Sequence, residues 1–217
     1  LGQATKVCGL LTEQTKTYEA LLLLGRETDT QDVSGRCIAE RPAEVSGEQI
    51  RQAVRAFEGE QMQLPPMYSA LKVNGKRLYE LAREGKTVER TPRPVTFYEI
   101  AVLSVEAPRV RLRVTCSKGT YIRTLCHDIG QALGCGGCME SLLRTKVGRF
   151  NLEDSLKLSQ IEKFRDQGLL EERIVSIEDM FEQYPRAVTA AEADNLVHNG
   201  NPLRLEDVLV QDMPEGI

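Results

Sequence analysis

The residues best suited to chemistry sit in one short run, Cys116-Ser117-Lys118-Gly119-Thr120-Tyr121-Ile122-Arg123. Before it, residues 110–116 alternate apolar and polar as a strand does. After it, residues 120–133 repeat apolar positions at helical spacing and end at Gly134. A strand that breaks at glycine into a helix start gathers unpaired backbone N–H groups and the positive end of the helix dipole at one point. Lys118 and Arg123 flank that point, so the favoured chemistry is anion binding. Tyr121 and Arg123, two residues apart, could hold a base and a carboxylate or phosphate side by side. A capped helix with surface cations explains the same residues, and the run by itself leaves both readings open.

Tyr18 is a second aromatic candidate, within a compact strand text over residues 17–24 that ends at Gly25. On residue type alone a half-buried strand tyrosine is the simpler account. Cys126, His127, Cys135 and Cys138 supply four possible zinc ligands. Neighbours on a helix point about 100° apart, so Cys126 and His127 do not converge on one ion, and no metal site is expected. No glycine-rich nucleotide fingerprint follows a strand, and no cofactor is expected.

The elements that must position these groups are of mixed type. Residues 46–57 read as a helix, with Ser46 and Gln49 as a capping box, Ile50, Ala53, Val54 and Phe57 as its apolar face, and Gly59 as its stop. Residues 26–35 read as a polar loop, and residues 95–105 and 110–116 as a hairpin turning at Pro108. Residues 65–94 open on Pro65-Pro66 and close on Thr91-Pro92-Arg93-Pro94, with one short helix over 77–84 and little apolar text after Leu71. A helix is expected over 161–170, another from Thr189, and a turn at His198-Asn199-Gly200-Asn201-Pro202. Strands and helices segregate rather than alternate, which predicts an α+β fold.

With 41% hydrophobic and 28% charged residues, the 217-residue chain has the composition of an ordinary globular protein. No apolar run approaches the ~20 residues of a membrane helix. The first residues carry neither an initiator Met nor signal-peptide text, so further sequence upstream is expected. Six cysteines without a secretory signal point to reduced thiols in the cytoplasm. The net charge of −4 conceals an asymmetry: 22 Lys+Arg against 17 Asp+Glu up to Phe150, and 6 against 15 beyond it. Residues 109–123 hold five basic and no acidic residues, and residues 72–94 hold seven and three. Phosphates respond to such local patches rather than to the total, so a polyanionic partner is compatible with the overall acidity.

Taken in order, the motifs resemble those of the TruB family of tRNA pseudouridine synthases. Cys116-Ser117-Lys118-Gly119-Thr120-Tyr121-Ile122-Arg123-Thr124 is similar to that family's signature. So are Lys16-Thr17-Tyr18, the run from Leu24-Gly25 through Thr28-Asp29-Thr30-Gln31-Asp32, and Leu142-Leu143-Arg144-Thr145. Pro65-Pro66-Met67-Tyr68-Ser69-Ala70-Leu71-Lys72 with Gly75-Lys76-Arg77-Leu78-Tyr79 resembles the family's thumb loop, and Asn199-Gly200-Asn201-Pro202 the start of its C-terminal RNA-binding domain. The match runs along essentially the whole chain. Leu143 stands where the family usually has Arg, which removes one possible phosphate contact.

The resemblance implies a pseudouridine-synthase fold, with a mixed, mainly antiparallel sheet flanked by helices. It implies a catalytic domain over residues 1–184 with a thumb at about 64–93, and the beginning of a PUA-like domain over 185–217. The implied reaction is isomerisation of the T-loop uridine of tRNA, without metal, cofactor or obligate protein partner. Tyr18 would stack on the uracil and act in proton transfer, Tyr121 would contact the flipped nucleotide, and Leu142 would pack against the base. Lys72, Lys76, Arg77, Lys118 and Arg144 would meet RNA. Arg123 would pair with the nucleophilic Asp and orient it. In the family that Asp lies in a Gly-His-Thr-Gly-Thr-Leu-Asp-Pro block ahead of Leu1, and Asp29 and Asp32 belong to a different block. The 217 residues alone are therefore expected to be inactive, and a non-catalytic tRNA-binding protein is the alternative reading.

Overall fold

The computed structural model describes residues 2–182, 184 and 187–210. Along the chain run α1 (Cys8–Glu13), β1 (Lys16–Leu24), β2 (Arg26–Thr28), β3 (Cys37–Glu40), α2 (Gly47–Arg55) and β4 (Gly59–Gln63). They are followed by β5 (Lys72–Val73), β6 (Lys76–Arg77), α3 (Leu78–Arg83), β7 (Arg93–Glu106), β8 (Arg109–Cys116) and α4 (Ile122–Ala132). The last are β9 (Gly137–Val147), β10 (Phe150–Asn151), α5 (Leu158–Asp166), β11 (Ala187–Thr189), α6 (Asp194–His198) and β12 (Val208–Val210). Two compact units result: Cys8–Leu156, and Leu1–Val7 with Lys157–Ile217.

The first unit is built on a six-stranded antiparallel sheet ordered β10-β9-β1-β8-β7-β4. Period-two alternation decides which face is inside. Tyr18, Ala20, Leu22 and Leu24 of β1 join Val110, Leu112, Val114 and Cys116 of β8 and Val95, Phe97 and Ile100 of β7 in one core. Ile50 and Val54 of α2 and Ile122, Leu125, Cys126 and Ile129 of α4 cover that face. Leu22 and Leu112 are fully buried, and truncating either to alanine would cost about 2–5 kcal/mol. Ser46 caps α2 as expected: its Oγ accepts from Gln49 N at 3.3 Å while Gln49 Oε1 accepts from Ser46 N at 2.8 Å.

The hairpin of β7 and β8 forms around Pro108, and α3 and α4 lie within a residue or two of their expected spans. Other regions differ from the sequence reading, and α5 spans Leu158–Asp166 where a helix was expected over 161–170. Residues 26–35 are not all loop, because β2 pairs with β3. β9, a neighbour of central β1, has no clear alternation to announce it: Leu142, Leu143 and Arg144 are exposed in succession, and its ladder with β1 carries two irregularities. Thr189 ends a strand rather than starting a helix, since β11 pairs with β12 and α6 begins at Asp194. The thumb has a small core, with Leu78 and Leu81 buried where little apolar content was read.

Candidate active site at the start of α4

β8 leaves the sheet at Cys116, where Ser117 N donates to Thr96 O and Ser117 Oγ accepts from Thr96 N, both at 2.9 Å. Gly119 then takes φ +77°, a left-handed conformation that glycine adopts without steric cost. Tyr121 is the N-cap of α4, and its carbonyl accepts from Thr124 N and Leu125 N. Tyr121 therefore stands at the helix entrance, with the Arg123 guanidinium 6.0 Å from its ring centre.

Arg123 is mostly buried and has two partners. Nη1 lies 3.3 Å from Asp32 Oδ2, and Nη2 donates to the Tyr68 carbonyl in the thumb. Asp32 is held in turn by Thr30 Oγ1 at 2.9 Å, by Ser34 N at 3.1 Å and by Ser34 Oγ, all on Oδ1. Burial pushes the Asp32 carboxyl up, but the hydrogen bonds from Ser34, Thr30 and Arg123 outweigh it and hold the group below the ordinary carboxylate value. The loop carrying Asp32 is fastened to β9, with Val33 N donating to Met139 O and Met139 N to Gln31 O. Gln31 Oε1 also accepts from Thr124 Oγ1 at 2.8 Å, tying the loop to α4.

Tyr18 lies on the core face of β1, 9% exposed. Its register partner on β9 is Arg144, whose guanidinium sits 5.4 Å from the Tyr18 ring centre. Leu142 pairs with Ala20, which puts it on the Tyr18 face, and it is exposed there. Leu143 pairs with Glu19 on the opposite face. Ile122, next to Tyr121 and Arg123, shares the core cluster with Tyr18. Lys118 is engaged elsewhere, paired with Glu13, so it does not stand free at the helix entrance as its place in the sequence suggested.

The thumb cations are grouped on a hairpin tip. β5 and β6 pair Lys72 with Arg77 and Val73 with Lys76 across Asn74-Gly75, whose positive φ values of 51° and 82° are those of a tight hairpin turn. Lys72, Lys76 and Arg77 are exposed on it. The Asn-Gly signal for this turn is present in the sequence, within the proline-bounded stretch of residues 65–94. Cys126 and Cys138 are fully buried, and burial pushes Cys138 up to about 11 and raises Cys126 as well, whereas Cys8 and Cys37 are exposed.

The sequence reading gave no role to Asp32, Tyr68 or Gln63. Asp32 had a local signal in Asp32-Val33-Ser34-Gly35, turn-forming residues in which the aspartate accepts from Ser34 N two positions on. Tyr68 acts through its backbone carbonyl, which residue type cannot announce.

Residues 1–122 match the TruB family pseudouridylate synthase N-terminal domain, and residues 123–182 the tRNA pseudouridylate synthase B C-terminal domain. The chain belongs to the TruB family. It is 45% identical over 200 residues to the tRNA pseudouridine synthase B of Clostridium novyi, covering 92% of this chain and 68% of that relative. It is 47% identical over 211 residues to the protein of the same name from Lachnoclostridium phytofermentans, covering 94% and 69%. Among solved structures, a chain of a Cbf5-Nop10-Gar1 complex superimposes with a TM-score of 0.72 at 29% identity, covering 96% of this chain. This chain spans 55% of that structure's length. A structure of an H/ACA RNP bound to a substrate RNA containing 2'-deoxyuridine gives a TM-score of 0.68 at 26% identity. The fold is that of these pseudouridine synthases, an antiparallel sheet flanked by helices.

Proposed function

We propose that this chain supplies the uridine-binding platform and thumb of a tRNA pseudouridine synthase acting on the T-arm in the cytoplasm. The reaction breaks the C1′–N1 glycosidic bond, rotates the uracil and joins C1′ to C5. One observation carries the reading: the mostly buried Arg123 guanidinium joins a carboxylate, Asp32, to the root of a cation-tipped loop. A site for a flipped base needs such a charged, fixed element beside stacking surface.

The roles follow from residue chemistry. Tyr18 offers a ring to the uracil and a phenol for proton transfer, Tyr121 contacts the extruded nucleotide, and exposed Leu142 supplies apolar packing. Lys72, Lys76 and Arg77 on the hairpin tip engage phosphates, with Arg144 nearer the sheet and Lys118 joining them on exchanging its Glu13 partner for a phosphate. Arg123 orients the nucleophilic aspartate and keeps it ionised, with Asp32 fixing the guanidinium plane from the other side. No carboxylate of these 217 residues is assigned as nucleophile. The domain reading extends the catalytic part to residue 184 and places a PUA-like part from 185; residues 183, 185–186 and 211–217 lie outside the described ones. All six cysteines are unpaired, as fits a reducing cytoplasm.

The test is conversion of T-arm RNA under single-turnover conditions, by the 217-residue chain and by the same chain extended upstream to include an aspartate block. Turnover is expected in the extended protein alone. Turnover by the 217 residues would require a nucleophile among them. RNA binding without turnover in the extended protein would establish the non-catalytic reading instead.

A further inference from the structure

Gln63 is the last residue of β4 and only 5% exposed. Its amide satisfies both polar ends on one residue 58 positions away. Tyr121 N donates to Gln63 Oε1 at 2.8 Å, and Gln63 Nε2 donates to Tyr121 O at 3.1 Å. That is the reciprocal bonding of an antiparallel residue pair, made by a side chain in place of a strand. The need for it is local. Tyr121 stands after β8 has left the sheet and before the first turn of α4, and its side chain makes no capping bond. Its N–H therefore belongs to neither ladder nor helix, and a buried donor without an acceptor is strongly unfavourable. The Tyr121 carbonyl also takes Thr124 N and Leu125 N, so the residue is gripped from the helix side and from β4 together.

The place of Gln63 in the chain adds a second consequence. It directly precedes Leu64-Pro65-Pro66, the opening of the thumb, and five residues beyond it the Tyr68 carbonyl takes Arg123 Nη2. The root of the thumb is thus fastened twice to the start of α4, at Tyr121 and at Arg123. Arg90 Nη1 steadies the same root by donating to Pro65 O at 3.0 Å.

We infer that Gln63 is a positioning residue: it fixes the Tyr121 backbone, and so the aim of the Tyr121 ring, and links that ring to the thumb. The inference rests on the reading that Tyr121 contacts the flipped nucleotide. A thumb that docks on RNA and a ring that meets the base are then parts of one connected piece, with Gln63 as the joint.

Two substitutions in the upstream-extended protein separate this from a merely structural role. Gln63→Met keeps the length and loses both hydrogen bonds. Gln63→Glu keeps the shape and the acceptor for Tyr121 N, but turns an oxygen lone pair toward the Tyr121 carbonyl; protonating that carboxyl restores a donor. Four quantities are measured: hydrogen exchange at the Tyr121 amide, single-turnover conversion of T-arm RNA at saturating protein, affinity for that RNA, and the thermal midpoint. For Gln63→Met, faster exchange at Tyr121 and a roughly tenfold slower single turnover of the fully folded protein are expected, with RNA affinity close to wild type and a thermal midpoint lowered by a few degrees, as the loss of two buried hydrogen bonds requires. Gln63→Glu should be slow at about pH 8 and regain rate relative to wild type as pH falls and the carboxyl takes up its proton. Unchanged exchange in Gln63→Met, or wild-type rates in both variants, would overturn the inference, as would a rate loss that only tracks the folded fraction. If the wild-type protein converts no uridine, it is the functional reading that fails; exchange at Tyr121 still decides whether the clamp exists.

Discussion

Arg123 and Asp32 meet at 3.3 Å across 91 residues of sequence, with Arg123 Nη2 at the same time on the Tyr68 carbonyl. Neither group is free to turn. Asp32 Oδ1 is occupied by Thr30 and Ser34, leaving Oδ2 for the guanidinium. A partly buried ion pair such as this one is valuable for orientation rather than for net stability, because withdrawing two charges from water offsets much of their attraction. The consequence is a guanidinium whose plane is set by two independent elements before any substrate arrives.

Substituting Arg123→Lys in the upstream-extended protein should lower the single-turnover rate by roughly 10²-fold or more, the scale of lost geometry at a reacting centre. Lysine keeps the charge but not the planar fork that reaches Asp32 and Tyr68 together. T-arm RNA affinity should change far less, since the thumb cations are untouched. A collapse of affinity with preserved single turnover would make Arg123 a phosphate clamp instead.

The Asp32 contribution to stability should have a defined pH window. Its folded-state value lies below the ordinary 3.8, so the unfolded chain binds its proton first as pH falls. The contribution is then fully present above about pH 4 and is lost as pH drops through the lower folded value. Asp32→Asn removes the titration, so its unfolding free energy should fall less steeply than wild type below about pH 4. Parallel pH curves for the two proteins would show that the carboxylate carries no such linkage.

The hairpin tip should act as a phosphate contact and nothing more specific. Each of Lys72→Ala, Lys76→Ala and Arg77→Ala should weaken binding of T-arm RNA and reduce the slope of log affinity against log salt by about one. The single-turnover rate at saturating protein should stay near wild type. Arg77 has an additional local role: it donates to Tyr79 Oη at 3.0 Å and its N–H meets Glu80 at the start of α3. Its replacement should therefore also lower the protection of the α3 amides in hydrogen exchange.

Much of this arrangement was legible where local pattern and tertiary role agree. Ser46 and Gln49 announced the cap of α2 and made it, and the alternation in β8 buried Val110, Leu112 and Val114. Tyr121 and Arg123 could be placed at a helix entrance because strand text, glycine and helix text follow one another there. β9 was illegible because its buried and exposed residues follow the twist and bulges of its partner β1, which no period in its own residues records. The partners of Arg123 were hidden for a different reason. Asp32 reaches it only through a loop fixed on β9, and Tyr68 through a carbonyl that every residue possesses. Sequence text shows side chains, and the site is closed in part by backbone.

The close approach of α4 to β9 gives a last prediction, on stability. Gly130 lies on the helix face turned to the start of that strand. A Cβ there would stand 2.1 Å from Gly137 N and 2.3 Å from Gly136 C, atoms of the backbone that have no rotamer to yield. The two segments are also joined by Gly136 N donating to Gly130 O at 2.9 Å, so they cannot separate without losing that bond. Gly130→Ala should therefore destabilise by about 2–3 kcal/mol, the scale of overpacking in a filled core. For a chain of this size that is a fall of roughly 5–10 °C in thermal midpoint. Gly9 in α1 is the control, since nothing lies within 4 Å of the Cβ it would gain. There the helix preference of alanine over glycine acts alone, and Gly9→Ala should be neutral or stabilising by up to about 1 kcal/mol. Thermal or denaturant unfolding of the two variants beside wild type decides the matter: equal midpoints would mean that α4 can shift away from β9 at little cost.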